Sequence, residues 1–502
     1  MSGWGGGYVT DVTYLAQHYP EQSPHMLAAA CVVSGVDPGF TGEAPGLHYL
    51  ELGCGRGMNA LVVAAGNPRW RVTAIDFTPA AIAEGRRTAA AAGLENITFI
   101  EADLAGFAET VEARALPEAD FVSMHGVWSW VPVAVRAGIV RLLAAKLRAG
   151  GVVHVSYNVL PGLQGALGMQ RLIRAAGGAL AQRSDRQVLA GRQVVMDLVA
   201  AEALHLRTPV VTELLRHLEK APVEYLAHEF MNATWAPCFQ ADVAEALADA
   251  KLELVASAKL PENFLGLMLA PAQIAVLERF DDPRLRELVK DICVDRALRH
   301  DVYVRGPQRL DRAVQDSLLR GMTLALTVLP GNFAYQIEMP AGRATLGEGV
   351  YGPAVAALAF GPRQVGELMT LPGQTGSSDN PAELVAMLVG TGQAALLPWP
   401  DAAPSGGAMR LNAVLARQVV RLDGLNRTTV AASARMGGGL VCRAVELFLL
   451  ERIAEAGGGL DPGVWALELA PDLPVEDLNV LRGQLQKVVE DRLPIWRSVG
   501  AI

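Results

Sequence analysis

The stretch that most constrains the fold is Glu51-Leu52-Gly53-Cys54-Gly55-Arg56-Gly57, between a strand-like run, Leu47 to Leu50, and a helix-like one, Met58 to Ala65. A strand that ends in alternating glycines and runs straight into a helix leaves backbone N–H groups and bare Cα atoms facing a crevice. A nucleotide-like ligand can touch main chain there. Strand and helix patterns then alternate through Val72 to Ile75, Pro79 to Ala92, Ile97 to Ile100, Ala119 to Ser123, Ile139 to Leu147 and Val152 to Tyr157. This succession predicts an α/β fold, a doubly wound, mainly parallel sheet with helices on both faces. Sheets of that kind bind ligands at the carboxyl ends of their strands.

Two readings of the glycine loop compete. Gly55, Gly57 and Ala60 satisfy the G-x-G-x-x-G/A pattern of dinucleotide enzymes, with Asp76 at a suitable distance for a ribose hydroxyl. The spacing E-x-G-x-G-x-G, with an acid two residues before the first glycine, resembles instead motif I of the class I S-adenosylmethionine (SAM) methyltransferases. That resemblance implies a Rossmann-like core in which Glu51, Gly53, Cys54, Gly55 and Gly57 meet the cofactor, the acid near its ammonium. Asp76, followed by Phe77, closes a β-branched run, so its two oxygens can accept from both ribose hydroxyls. Glu101-Ala102-Asp103-Leu104 looks like the methyltransferase position where a carboxylate receives the adenine amino group, for which a dinucleotide enzyme has no general need. Each residue also has a plain reading, since glycines often make only a turn and an acid after a strand is often solvated or caps a helix. The ordered series Glu51, Asp76, Asp103 on three successive strand ends favours a nucleotide-type site. Tyr8 is expected to close over the amino-acid end of the cofactor, as amino-terminal tyrosines do in similar enzymes, or else to pack on the sheet.

At 502 residues the chain exceeds one core and should hold about three domains. Half of it is hydrophobic, yet no apolar run approaches bilayer length, and Met1-Ser2-Gly3-Trp4-Gly5 has neither a charged leader nor an apolar core. A cytoplasmic protein with no membrane insertion is expected. The five cysteines, Cys31, Cys54, Cys238, Cys293 and Cys442, are scattered and never spaced C-x-x-C, which argues against disulfides and a zinc site, and no metal is expected. Net charge is −9 with dispersed arginines, so no electrostatic footprint for nucleic acid is visible.

Along the chain, residues 1–45 read as an amino-terminal cap with a helix from His25 to Ser34, and 46–160 as the SAM-binding core. Residues 161–222 read as a helical insertion whose aliphatic positions, such as Leu172, Ile173, Val188 and Val195, must be buried against the parent domain or a second copy of the chain. A homodimer is therefore left open. Residues 223–305 include a helix, Ala241 to Ala250, and a strand, Leu252 to Val255, that supplies the last part of the sheet. Breaks at Pro372 to Pro381 and Asp401 to Gly407 divide residues 306–502 into one or two further compact α+β units.

Further motifs extend the resemblance. His125-Gly126-Val127-Trp128-Ser129-Trp130, Val155-Ser156-Tyr157-Asn158 with Pro161-Gly162, His228-Glu229-Phe230-Met231-Asn232 with Trp235, and Asp301-Val302-Tyr303-Val304-Arg305-Gly306 look like bacterial methyltransferases that carry a methyltransferase regulatory domain. The likeness spans residues 8 to about 306 and thins out beyond. Characterised members are protein-lysine methyltransferases acting on outer-membrane proteins, which implies a protein or peptide substrate here. Such relatives include a winged-helix-like unit, and residues 340–400, with short helices at Gln364 to Met369 and Pro381 to Val389, are its counterpart. With no lysine between Asp291 and Gln486, that unit fits protein docking or packing better than DNA.

The catalytic candidates follow from position. Residues after the fourth strand face the transferred methyl group, which brings His125, Trp128 and Trp130 to the substrate opening. His125, read as the only nearby group titrating near neutrality, is expected to accept a proton or to orient the amine, and the aromatic faces to hold a cationic sulfonium or ammonium. Tyr157 and Asn158, ending the fifth strand, are expected to orient the acceptor, while Glu229 and Asn232 line the cleft or brace the sheet. The expected activity is SAM-dependent N-methylation of side chains, lysine first, releasing S-adenosylhomocysteine. The alternatives are N- or O-methylation of a small molecule and a SAM sensor that does not turn over.

Overall fold

The computed structural model describes residues 7–12, 17–39, 46–375, 379–418, 424–457 and 459–502. Parts of the expected cap, including Met1 to Gly5 and Thr13-Tyr14, lie outside them.

A seven-stranded sheet forms the centre, in the order β3-β2-β1-β4-β5-β7-β6. Its strands are β1 (His48–Leu52), β2 (Arg71–Asp76), β3 (Ile97–Glu101), β4 (Ala119–Met124), β5 (Leu147–Asn158), β6 (Leu252–Ser257) and β7 (Leu298–Arg305). The first five run parallel, and β7 is antiparallel to both β5 and β6. The strand β7 falls on the Asp301-to-Gly306 motif. Chain order from β1 to β5 reverses direction beside β1, so the strand ends of β1 and β4 diverge into a crevice.

Alternation within the strands feeds two cores. On one face Tyr49, Val72, Ala74, Phe121, Val152 and Val302 pack beneath α1 (Pro24–Val33) and α2 (Met58–Gly66). On the other, Leu50, Leu52, Ile75, Val122, Met124, Val153 and Tyr303 are covered from α5 (Val133–Lys146), with α3 (Pro79–Ala91) and the short α4 (Val111–Ala115) between α2 and α5 in the chain. Period-two side chains buried on both faces require strands rich in Val, Ile and Ala, as observed.

The insertion is a helical hairpin, α6 (Leu167–Leu180) and α7 (Ser184–Ala200), followed by α8 (Pro209–Lys220) and α9 (Val223–Met231). Its apolar stripe, Met169, Ile173, Val188 and Val195, is buried against Leu226 and Phe230 of α9 and against Val9 and Val12 of the amino-terminal segment. The chain itself thus covers these positions. Next comes α10 (Gln240–Ala248), which leads into β6.

Beyond β7, the strands β8 (Thr323–Leu326), β9 (Gln336–Met339), β10 (Gly342–Thr345), β11 (Arg363–Gln364), β12 (Ala394–Leu396), β13 (Thr428–Ser433) and β14 (Gly438–Arg443) form three small antiparallel sheets. Helices Val365–Leu368 and Pro381–Gly390 lie with the sheet β11-β8-β12, whose central strand comes from outside residues 340–400. This carboxyl-terminal α+β region packs directly on the methyltransferase core. Leu384, Leu388, Leu411, Val430, Leu447 and Trp496 join the same core as α1 and α2, because those helices keep apolar residues on the face turned away from the sheet. Backbones touch closely: a Cβ on Gly66 would lie 2.7 Å from the Gly438 nitrogen. Polar ties reinforce the seam, with Asn67 Nδ2 donating to the Gly437 carbonyl at 2.8 Å and Ser405 Oγ to that of Ala65 at 2.9 Å.

Candidate active site

The three acids stand on neighbouring strands. Glu51 sits within β1, only 4 % exposed, and its Oε2 has no hydrogen-bond partner. Burial pushes its carboxyl up to about 8; the Ala60 N–H and the Asn59 side chain oppose that rise, and the charge of Asp76 adds to it. A carboxyl group left orphaned at a strand end is costly unless a cation or donor completes it. Asp76 ends β2, its Oδ2 accepting from the Gly55 N–H and its Oδ1 from the Thr78 N–H, both at 2.8 Å. Burial raises its pKa, and these two N–H groups counter the rise. Asp103, two residues past β3, is exposed, with Oδ1 accepting from the Ala105 N–H at 2.9 Å. Ala102 is half-buried and Leu104 belongs to the core.

The glycines leave room where a ligand needs it. Gly57 begins α2 in the left-handed region, φ +76°, and a Cβ there would lie 2.3 Å from Phe99. A Cβ on Gly55 would meet nothing within 4 Å, so this part of the loop borders open space. Cys54 is buried, its thiol directed to the Gly55 carbonyl at 3.5 Å. The partnerless Glu51 Oε2, the buried Asp76 carboxylate and the open side of Gly55 together fit a SAM-like nucleoside with an ammonium group.

The amino-terminal segment closes over this crevice. Tyr8 meets Phe77 edge-on, ring centroids 5.4 Å apart, and lies 5.6 Å from the His228 ring. Burial raises its hydroxyl pKa, and the charges of Asp76 and then Glu229 raise it further, so both carboxylates are felt at one phenol. Residues of α9 and just beyond hold the segment in place: Asn232 Oδ1 accepts the Val9 N–H, and His228 Nε2 bonds the Val12 carbonyl, both at 2.8 Å. Asn232 therefore braces the lid of the cleft rather than the sheet. Glu229, next to His228 on α9, is pushed up to about 7 by burial. Its charge is also felt by the hydroxyl of half-buried Tyr225.

The segment after β4 and the end of β5 depart from expectation in three ways. Trp128 is 2 % exposed and lies in the core on the other face, with the Arg136 guanidinium 5.7 Å from its ring centre. It is therefore no wall of a substrate cage. Tyr157 is likewise corrected, because strand alternation turns it away from Ser156 and its hydroxyl donates to Asp301 at 2.6 Å within a buried network around Arg299. Finally, His125 does not titrate near neutrality. Burial lowers its pKa to about 4, with the Lys259 charge a lesser cause. The groups brought nearest to neutrality are Glu229 and Glu51.

His125 does face the crevice side. Its Nδ1 bonds Ser156 Oγ at 2.9 Å, and Tyr19 lies over its ring with centroids 3.7 Å apart. Trp130 stacks on Trp235 at 6.1 Å, and Trp235 Nε1 donates to Asn158 Oδ1 at 3.0 Å, linking two predicted residues through one that only the wider motif contained. Two other cavities, about 320 Å³ beside His25 and Met436 and about 450 Å³ between α5 and α10, include none of the three acids.

Sequence reasoning missed Tyr19, Ser156, His154 and His300 and left Glu229 between lining the cleft and bracing the sheet. Tyr19 and His300 carried no spacing signal. Ser156 and His154 were readable only as the even positions of a strand whose odd ones are core.

Residues 50–153 match the family described as "Methyltransferase domain", and residues 222–305 match the "Predicted methyltransferase regulatory domain". The chain is 32 % identical over 374 residues to the protein sll1526 of Synechocystis, covering 73 % of this chain and 71 % of that one. It is 23 % identical over 332 residues to RP789 of Rickettsia prowazekii, covering 66 % and 58 %. Its fold is that of PKMT2 from Rickettsia typhi, at TM-score 0.68 and 17 % identity over 96 % of this chain and 99 % of that one. The same protein with AdoHcy bound superposes at TM-score 0.69 and 15 % identity, covering 97 % and 99 %.

Proposed function

The chain belongs to the class I SAM-dependent methyltransferases that carry a methyltransferase regulatory domain, and from that membership we propose that it methylates side-chain amines of proteins, lysine first. SAM supplies a methyl carbon on a sulfonium, already a good leaving group. This chain's residues must then hold that carbon in line with a neutral amine and exclude water. Glu51, Gly55 and Asp76 are assigned to the cofactor, and Asp103 to its adenine.

A lysine amine has an unperturbed pKa of about 10.4 and needs to lose a proton before it can attack. Glu229 is assigned as the acceptor of that proton. A carboxylate held near neutrality both ionises and accepts under ordinary conditions, as a general base requires. The observation that carries the reading is its place on α9, next to His228 whose ring lies against Tyr8, with its charge felt at the Tyr8 and Tyr225 hydroxyls. The Tyr8 and Tyr225 hydroxyls are the titratable groups that feel its charge. Neutral His125, held by Ser156 and Tyr19, orients the acceptor, and Asn158 with the Trp130–Trp235 pair lines its approach. The fold shared with PKMT2 over nearly the whole chain supports a protein acceptor.

The test is incubation with isotope-labelled SAM, a bacterial outer-membrane protein fraction and a metabolite extract. Label on lysine residues supports the proposal. Label confined to small molecules would replace it with metabolite methylation, and SAM uptake without S-adenosylhomocysteine release would make the chain a sensor.

A further inference from the structure

Three histidines from three strands meet beside the crevice. His125 follows β4, His154 lies on β5 and His300 on β7, and one nitrogen from each falls within 4.8 Å of the others. His154 pairs across the sheet with Ser123 on one side, and Ser156 pairs with His300 on the other, so all these side chains share one sheet face.

The hydrogen bonds fix which nitrogens are engaged. Ser123 Oγ donates to Gln22 Oε1 at 2.9 Å, so toward His154 Nδ1, 3.0 Å away, it acts as the acceptor. His154 accordingly carries its proton on Nδ1 and a lone pair on Nε2. That Nε2 lies 3.3 Å from His300 Nδ1. His125 uses Nδ1 toward Ser156 Oγ, an oxygen that also accepts the Gly126 N–H at 2.9 Å, leaving its Nε2 available. Metal-binding imidazoles commonly use their second nitrogen in this way to fix tautomer and ring orientation.

The ring geometry suits one ion. Interplanar angles are 7°, 28° and 22°, and centroids are 6.3, 5.4 and 5.5 Å apart. Three imidazoles about 2.0–2.1 Å from a common metal place ring centroids about 5–5.5 Å apart and nitrogens about 3.3–3.6 Å apart. The His154–His300 pair already has that spacing, and the His125 and His154 centroids, 6.3 Å apart, must close by about 1 Å. Burial holds all three rings neutral, the ligating form. The opposing charge is Lys259, exposed and felt by His125 and His300.

We propose that His125 Nε2, His154 Nε2 and His300 Nδ1 form a binding site for one late first-row divalent metal of the zinc or cobalt class. Binding shifts the His300 proton from Nδ1 to Nε2, so no net proton is released. The fourth position stays open to water or a ligand atom. The sequence offered no cysteine pattern for such a site because the three ligands lie far apart in the chain.

The experiment titrates chelator-treated full-length protein with Co²⁺, followed by its visible ligand-field bands and by X-ray absorption. The expected result is one ion per chain with three imidazole nitrogens around it, and loss of the bands in His154→Gln and His300→Asn while SAM binding persists. No saturable uptake, fewer than three imidazoles, or bands that survive both substitutions would overturn it and leave a plain hydrogen-bonded histidine cluster. Should a variant fail to fold, the imidazole count on the unmodified protein decides.

Discussion

The Asn232 side-chain oxygen accepts the Val9 N–H at 2.8 Å across 223 residues of sequence, and its Nδ2 donates to the His228 carbonyl at 2.6 Å. The regulatory segment thereby positions Tyr8 over the cofactor crevice. Asn232→Ala leaves the buried Val9 N–H unpaired at about 1–3 kcal/mol. Weaker SAM binding and faster proteolysis near residues 7–12 are expected. Unaltered SAM affinity would mean that the segment does not close on the cofactor.

Asp76→Ala removes the acceptor of the Gly55 N–H as well as the ribose partner. SAM binding should weaken by about 1–3 kcal/mol in calorimetry, with the circular dichroism spectrum retained. A collapsed spectrum would make Asp76 a structural residue instead.

Glu229→Gln should lower kcat by about 100-fold with SAM affinity preserved, the lower range for loss of a general base. In the unmodified protein, activity should rise as pH climbs through about 7, since the carboxyl must be ionised to accept a proton. That limb should vanish in the variant. An unchanged profile would remove Glu229 as the base.

Glu51 has a linkage consequence. Its carboxyl, pushed up to about 8, is largely protonated at neutral pH, and an arriving ammonium favours the ionised form. SAM binding at pH 7 should therefore release about one proton, and affinity should rise with pH until the group is ionised. Calorimetric heats that are identical in buffers of unlike ionisation enthalpy would refute this.

Tyr157→Phe should cost about 1.5–3 kcal/mol of stability in urea, because a buried hydrogen bond to the Asp301 carboxylate is lost, with kcat and KM unchanged. A fall in kcat at undiminished stability would return Tyr157 to the substrate.

The cofactor half of the site was legible because it depends on local order. A glycine loop and acids that follow strands carry their geometry in short spans, and Asp76 meets the loop at Gly55 where its position placed it. The acceptor half was not. Trp128 and Tyr157 share their segments with His125 and Ser156, and only the pleat and the turn after β4 decide which points to the crevice and which to the core. Glu229 depends on how α9 docks, and His300 on the antiparallel return of β7. Neither pairing leaves a pattern along the chain.

Helix α2 is held from two directions: the sheet lies beneath it, and the backbone at Gly437 and Gly438 presses on its final turn at Gly66 and on Asn67 just beyond. Its first turn springs from the glycine bend at Gly57. This enzyme accordingly cannot be trimmed to a minimal catalytic fragment at residue 306, because the cut would bare one whole flank of the helix to water. Any tug on the carboxyl-terminal third would travel along a single rigid rod to the nucleoside.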